Sequence, residues 1–164
     1  MPFAAPKGIR SIVVRALKLR PRGAVPNDSL ALRNITGQLQ LQWQARDAHP
    51  WDRDLSLCRQ AELSHNQALE DADAAIRRLF QMLPEIGHIE IRVFHPREPD
   101  KVILHGAVDR EDVLNCDSLP SVRMRLLRTG VRFSAVGDDH VEAMPERTLT
   151  LHSSLKARTN WWGS

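Results

Sequence analysis

The sequence predicts a single α+β domain of the ferredoxin-like class, in which two helices cover one face of an antiparallel sheet. Strands with a two-residue period alternate with segments of helical period in the order β-α-β-β-α-β. Each half of that order is a strand, a helix and a strand, which is the split β-α-β pattern. A chain of 164 residues with 42% apolar residues is also long enough to bury one core.

The first predicted element is a basic amphipathic helix over residues 8–19. Its apolar positions recur at helical spacing, with arginines and lysines off the stripe, which consists of Ile9, Ile12, Val13, Ala16 and Leu17. Prolines and a glycine in 20–28 then indicate a linker. We therefore divide the chain into a basic arm and linker over 1–27, an α+β core domain over 28–146 and a basic tail over 147–164.

The clearest strand covers residues 38–45, where apolar side chains alternate strictly with glutamines. Residues 30–32 can form a partner strand through a turn at 34–37. A long helix is predicted over 56–83, because apolar residues repeat at helical spacing up to Pro84. Ser64 and Gln67 could form an internal capping box, which would break this helix near residue 63.

The second half repeats the pattern. Residues 89–93 and 101–108 read as strands joined by a proline-containing turn. Ser118, Pro120 and Ser121 can start a helix that runs through Arg128 and ends before Gly130, and alternation then predicts a strand over 131–135. A further strand can return over 140–144.

Charge is separated along the chain. Residues 1–24 contain six basic residues and no acid, and 147–164 contain three basic residues and no acid, whereas 25–146 contain 14 basic and 20 acidic residues. Basic termini of this kind either dock on the acidic part of the same chain, residues 25–146, or contact a polyanion. The residues proposed for binding are Lys7, Arg10, Arg15, Lys18, Arg20, Arg22, Arg158, Trp161 and Trp162.

These ends allow three interpretations. The basic helix and the tryptophans could contact the phosphates and bases of a nucleic acid. They could instead lie on an anionic membrane surface. Alternatively, the helix buries its apolar stripe against its own domain.

The stretch RDAHPWDRDL, residues 46–55, is the densest group of reactive side chains. As a catalytic loop, it would use His49 as a general base with Asp47, Asp52 or Asp54 nearby. As a structural corner, Pro50 ends the strand, Trp51 folds onto the edge of the core, and Asp54 or Ser56 caps the helix. The ordinary corner is the preferred interpretation, because no nucleophile accompanies His49.

Other polar residues give weaker indications. No pair of histidines has a ligand spacing, so neither a metal nor a cofactor is predicted, and His65 is expected to be a satisfied core histidine. Cys58 and Cys116 are expected to be free thiols. The clusters around Asp71 and Asp109 are expected to be solvated faces or first-turn charges.

The predicted function is that of a small cytoplasmic, non-enzymatic binding or assembly module. It would have a protein partner and contact nucleic acid through its basic termini. A peripheral membrane adaptor using helix 8–19 is the first alternative, and an enzyme or metal protein centred on His49 is the second. The strand over 101–108 has no aromatic residue, which argues against a base-stacking sheet of the RNA-recognition-motif kind.

Overall fold

The structure, a computed structural model, describes residues 7–16 and 30–134. The helices are α1 (Lys7–Ala16), α2 (Leu57–Met82), α3 (Arg110–Asn115) and α4 (Val122–Arg128), with a short 3-10 turn at Pro50–Asp52. The strands are β1 (Ala31–Ile35), β2 (Gln38–Gln44), β3 (His88–Phe94), β4 (Val102–Asp109) and β5 (Arg132–Phe133). The α+β class is thus confirmed.

The five strands form one mixed sheet in the order β1-β2-β3-β4-β5. β2 and β3 are parallel and joined by α2, whereas the other neighbouring strands are antiparallel. The predicted ferredoxin-like topology is not confirmed. A split β-α-β unit has a third strand between the two that the helix joins, but β2 and β3 pair directly. Periodicity locates strands along the chain without specifying which edges pair, so the sequence could not reveal this difference.

The hairpin that joins β1 to β2 has the turn expected at 34–37. Thr36 and Gly37 form its two-residue loop, with φ angles of 34° and 78°. Positive φ at both positions matches the right-handed twist of two antiparallel strands. The glycine provides the second of these conformations without steric cost.

Helix α2 is continuous, so the predicted break near residue 63 is wrong. Ser56 caps its N-terminus by accepting a hydrogen bond from the Arg59 amide at 3.3 Å, which confirms one of the two caps proposed. The Ser64 hydroxyl donates instead to the carbonyl of Arg46 at 3.4 Å. The Ser64 side chain therefore makes a tertiary contact with the end of β2 and does not cap a helix.

One hydrophobic core lies between the helices and the inner face of the sheet. The apolar stripe of α2 packs on residues from the alternating faces of β2, β3 and β4. Val13 of α1 is fully buried in the same core, with Ile9 and Ile12 packed against it. The apolar stripe of the N-terminal helix thus docks on its own domain, and residues 17–19 of the predicted helix lie outside the described residues.

The last elements differ most from expectation. Helix α3 was not predicted, and its first turn contains Glu111 and Asp112, which complement the positive end of the helix dipole. Helix α4 is followed by Gly130 with a φ of 93°, as its sequence predicts. β5 has only two residues, and position 135 and the strand expected at 140–144 lie outside the described part of the chain.

Candidate binding site at the carboxyl edge of the parallel strands

The parallel strands β2 and β3 end at the same edge of the sheet. The segments that follow them, 45–56 and 95–101, therefore lie side by side. The Ala45 amide donates to the Phe94 carbonyl at 2.9 Å, and the Arg97 Nε lies 3.2 Å from both carboxylate oxygens of Asp47. The carboxyl edge of parallel strands is where ligands commonly bind in α/β sheets.

Two adjoining clefts open at this edge, on either side of residues 47 and 48. The larger has a volume of about 390 Å³ and is lined by Arg46, Asp47, Ala48, His49, Pro50, Asp52, Leu63, Ser64 and Gln67. The smaller has a volume of about 210 Å³ and extends to His95 and Arg97. The larger one, here called the carboxyl-edge cleft, lies within the size range of small-molecule pockets.

A buried ion pair supports this cleft. The guanidinium of Arg46 donates to both carboxylate oxygens of Asp71, at 2.6 and 2.8 Å. The side-chain amide of Gln67 also donates to Asp71, at 2.9 Å. Asp71 was expected on a solvated face. It is buried instead, because the end of β2 brings a matching cation over the middle of α2.

His49 lines the cleft, but in the described part of the chain no carboxylate is hydrogen-bonded to it. Its Nδ1 accepts a hydrogen bond from the Trp51 amide at 3.3 Å, so the local turn uses that nitrogen. Asp52 also lines the cleft, whereas Asp54 is exposed and does not. Within residues 30–134, no hydrogen bond or ion pair links His49 to Asp47, Asp52 or Asp54. The cleft therefore brings together His49, Asp47 and Asp52 of the proposed catalytic residues but not Asp54.

Asp47 is an anchor for the two loops. Partial burial acts to raise its pKa, but hydrogen bonds from Arg97 and from the Ala48 amide outweigh burial and lower the pKa below its ordinary value. The carboxylate is thus held ionised at neutral pH. A group that is stabilised as an anion is poorly suited to take up a proton as a general base.

Trp51 does not fold onto the core edge, so that expectation is wrong. Its side chain is 84% exposed, and its ring stacks on the His49 ring with centroids 6.2 Å apart. Two neighbouring leucines are also exposed, Leu57 at 77% and Leu55 at 41%. These three residues, here called the Trp51 rim, place apolar area in solvent beside the carboxyl-edge cleft.

The basic residues proposed for binding are not brought together by the described structure. Arg15 is exposed on α1, but the side chains of Lys7 and Arg10 are not described. The others lie outside the described residues, namely Lys18, Arg20, Arg22, Arg158, Trp161 and Trp162. Their role stays a prediction.

Other histidines and both cysteines have definite surroundings. Nε2 of His65 is buried without a hydrogen-bond partner among the described residues, but the residue as a whole is only partly buried, so the expected satisfied core histidine is not found. Burial and nearby Arg123 lower its pKa. Cys58 and Cys116 are free, as predicted. In the described ranges, no group of three or more His, Cys, Asp or Glu side chains could hold a metal ion.

The stretch singled out in the sequence lines the carboxyl-edge cleft, but the residues that border the two clefts from other elements were not predicted. Ser64, Gln67 and Arg97 lie up to about fifty positions away along the chain. One feature of the sequence could have predicted these residues. A long helix between two strands allows the strands to be parallel, and the loops that follow two neighbouring parallel strands lie at the same edge of the sheet.

The fold and this edge define a mixed α+β protein with a ligand-sized cleft bordered by exposed apolar side chains. Comparison with known protein families, with curated proteins and with solved structures finds no match. None of the helices described here is long and apolar enough to cross a membrane.

Proposed function

We propose that this protein is a non-enzymatic binding or assembly module that holds a protein partner at the Trp51 rim. The observation that carries the proposal is the 84% exposure of Trp51 next to Leu57, also largely exposed. Tryptophan is enriched among the residues that dominate binding energy at protein interfaces. Its large apolar surface gains most from being covered by a partner.

The rim is also preorganised. The side-chain amide of Gln60 donates to the carbonyls of Arg53 and Leu55, at 3.0 and 2.7 Å, and so ties the loop to α2. Pro50 starts the 3-10 turn that holds Trp51, and Ser56 closes the loop as the helix cap. A surface that is already ordered loses little conformational entropy when a partner binds.

The carboxyl-edge cleft supports the same proposal as a pocket for a side chain of the partner. Its wall combines apolar Leu63 and Pro50 with the polar groups of Ser64 and Gln67. An anchor side chain in a pocket beside an exposed aromatic residue is a common arrangement at interfaces. Binding rather than catalysis is favoured because Nδ1 of His49 already accepts the Trp51 amide.

Selection of peptides from a random displayed library on the immobilised full chain tests this function. We expect enriched peptides to lose about 30-fold in affinity for Trp51→Ala, since a hot-spot tryptophan contributes 2 kcal/mol or more. Leu114→Ala is the matched control, because Leu114 is 66% exposed on α3. Failure to enrich any peptide, or equal binding to Trp51→Ala and the native chain, would contradict the proposal.

The cytoplasmic setting and nucleic-acid contact through the termini remain separate proposals. The exposed Arg15 on α1 is compatible with such contact. Substitution of Lys18, Arg20 and Arg22 by glutamine should then weaken nucleic-acid binding without changing peptide binding at the Trp51 rim. Unchanged nucleic-acid binding would contradict a role for the N-terminal basic residues.

A further inference from the structure

The carboxyl-edge cleft has a carboxylate without a partner, whereas the cations beside it are paired. Arg46 lines the cleft and donates to both carboxylate oxygens of Asp71. Arg97 pairs with Asp47 at 3.2 Å. Asp52 also lines the cleft, and among the residues that the structure describes its carboxylate makes no hydrogen bond or ion pair. The charge left without a counter-ion on this wall is therefore negative.

The residues next to Asp52 do not reverse this sign. Arg53 and Asp54 follow it in the chain, carry opposite charges and are both exposed, and neither lines the cleft. The positive charge of Arg53 acts on Asp47, which it helps to keep ionised. An anion in the cleft would thus meet no unpaired cation on the described wall, whereas a cation would meet Asp52.

Hydrogen bonds within the wall leave acceptors available to a ligand. The Ser64 hydroxyl donates its proton to the Arg46 carbonyl, so the oxygen of this hydroxyl keeps its lone pairs. Gln67 directs its amide nitrogen at Asp71, and in the described part of the chain its carbonyl oxygen has no donor. Together with the Asp52 carboxylate, these acceptors suit a cationic group that carries several N–H donors.

An aromatic surface adjoins the same carboxylate. Trp51 directly precedes Asp52, and its 84% exposure leaves most of the indole ring open. The ring stacks on His49, which lines the cleft, with an interplanar angle of 20°. The hydrogen bond from the Trp51 amide to Nδ1 of His49 holds the imidazole against this turn. A cation over an aromatic face is attracted by the ring, most strongly by tryptophan.

We propose that the protein partner anchors an arginine side chain in the carboxyl-edge cleft, with its guanidinium on Asp52 and beside Trp51. This inference rests on the proposed function, because it names the anchor residue of the same partner. Arginine fits better than lysine, since its planar group offers five N–H donors and stacks on aromatic rings. Arginine is also enriched, with tryptophan and tyrosine, among the residues that dominate interface energies.

The apolar parts of the site define the residues around that arginine. Leu63 and Pro50 belong to the cleft wall and can cover the methylene groups of the arginine stem. Leu57, 77% exposed on the Trp51 rim, is available to an apolar residue next to the arginine. The recognised segment is therefore one arginine with an apolar neighbour, in a peptide that need not be basic elsewhere.

The test uses the full-length chain and the peptides that it enriches from the random displayed library. We expect these peptides to share an arginine next to an apolar residue. Replacement of that arginine by citrulline, which keeps the shape without the charge, should weaken binding about tenfold in isothermal titration calorimetry, as should Asp52→Asn. The two changes together should weaken binding no more than either alone, because both remove the same ion pair.

Asp54→Asn is the charge-matched control, because Asp54 is exposed and does not line the cleft. It should bind the arginine peptide as the native chain does. The citrulline peptide tests the anchor on the native chain, so this result does not depend on how Asp52→Asn folds. Circular dichroism melts would verify that both variants fold.

The outcomes separate this inference from the proposed function. Peptides without arginine, full binding of the citrulline peptide, equal effects of Asp52→Asn and Asp54→Asn, or additive effects of the peptide and Asp52→Asn changes would each overturn the arginine anchor. Binding that Trp51→Ala still weakens would, in those cases, leave the Trp51 rim as the partner site. If no peptide is enriched, or if binding does not depend on Trp51, the proposed function and the anchor both fail.

Discussion

Arg46 and Asp71 join the end of β2 to the middle of α2 through a two-point ion pair, with side chains only 12% and 5% exposed. Gln67 completes the hydrogen bonding of the carboxylate. The pair fixes the wall of the carboxyl-edge cleft.

Asp71→Asn should destabilise the fold by about 3–5 kcal/mol, because it leaves the Arg46 charge buried without a counter-ion. Urea unfolding followed by circular dichroism would measure the loss. Glu70→Gln is the control, since Glu70 is adjacent in α2 but exposed. An equal effect of the two substitutions would mean that the ion pair does not support the cleft.

Gly106→Ala should destabilise the fold because of a close backbone approach. A Cβ at this position would lie 2.7 Å from the Val131 Cα and 2.9 Å from the Gly130 carbonyl oxygen. Backbone cannot move aside as a flexible side chain can, so we expect a cost of about 1–3 kcal/mol. Thermal and urea unfolding would measure this cost.

Gly87→Ala provides the matched control for Gly106→Ala. Nothing lies within 4 Å of a Cβ at Gly87, and that glycine has no positive φ. Its substitution should change the unfolding free energy by no more than about 0.5 kcal/mol. Similar costs at both glycines would refute the proposed crowding against Gly130 and Val131.

Val13→Ala should cost about 2 kcal/mol, since it removes two methyl groups from a fully buried position. The native chain is expected not to float with anionic vesicles, because this residue is committed to the core. Flotation that Val13→Ala abolishes would instead support the membrane adaptor. Ser11→Ala is the control, because Ser11 is exposed on α1 and its substitution changes no charge.

The stability of the fold should rise as pH increases toward 6.5. Burial is the first cause of the lowered pKa of both His65 and His105, whose ordinary value is 6.5. Below that value the unfolded chain binds protons that the folded chain rejects, so the unfolding free energy increases with pH and levels off above it. Urea unfolding between pH 5 and 7.5 would measure the slope.

Replacement of both histidines by glutamine should flatten this pH dependence. Each single variant should remove part of it, because the two side chains lie in separate surroundings, His65 near Phe133 and His105 on the outer face. A slope that persists in the double variant would assign the pH dependence to other groups.

Much of the local structure could be predicted from the sequence. Helix α2 differs from its predicted range by one residue at each end, and the turn at Gly37 and the stop at Gly130 lie where expected. These features depend on periodicity, capping and backbone conformation over a few neighbouring residues. Such interactions are local, so the order of residues is enough to identify them.

The tertiary structure alone decided the strand order and the composition of the cleft. Pairing of β2 with β3 brings Asp47 to Arg97, fifty positions away, and the end of β2 brings Arg46 to Asp71. The tertiary structure also leaves the Trp51 side chain in solvent, although a tryptophan next to a strand suggested burial. The physical reason is that alternation determines which face of a strand is buried, whereas the choice of neighbouring strand depends on the packing of the whole chain.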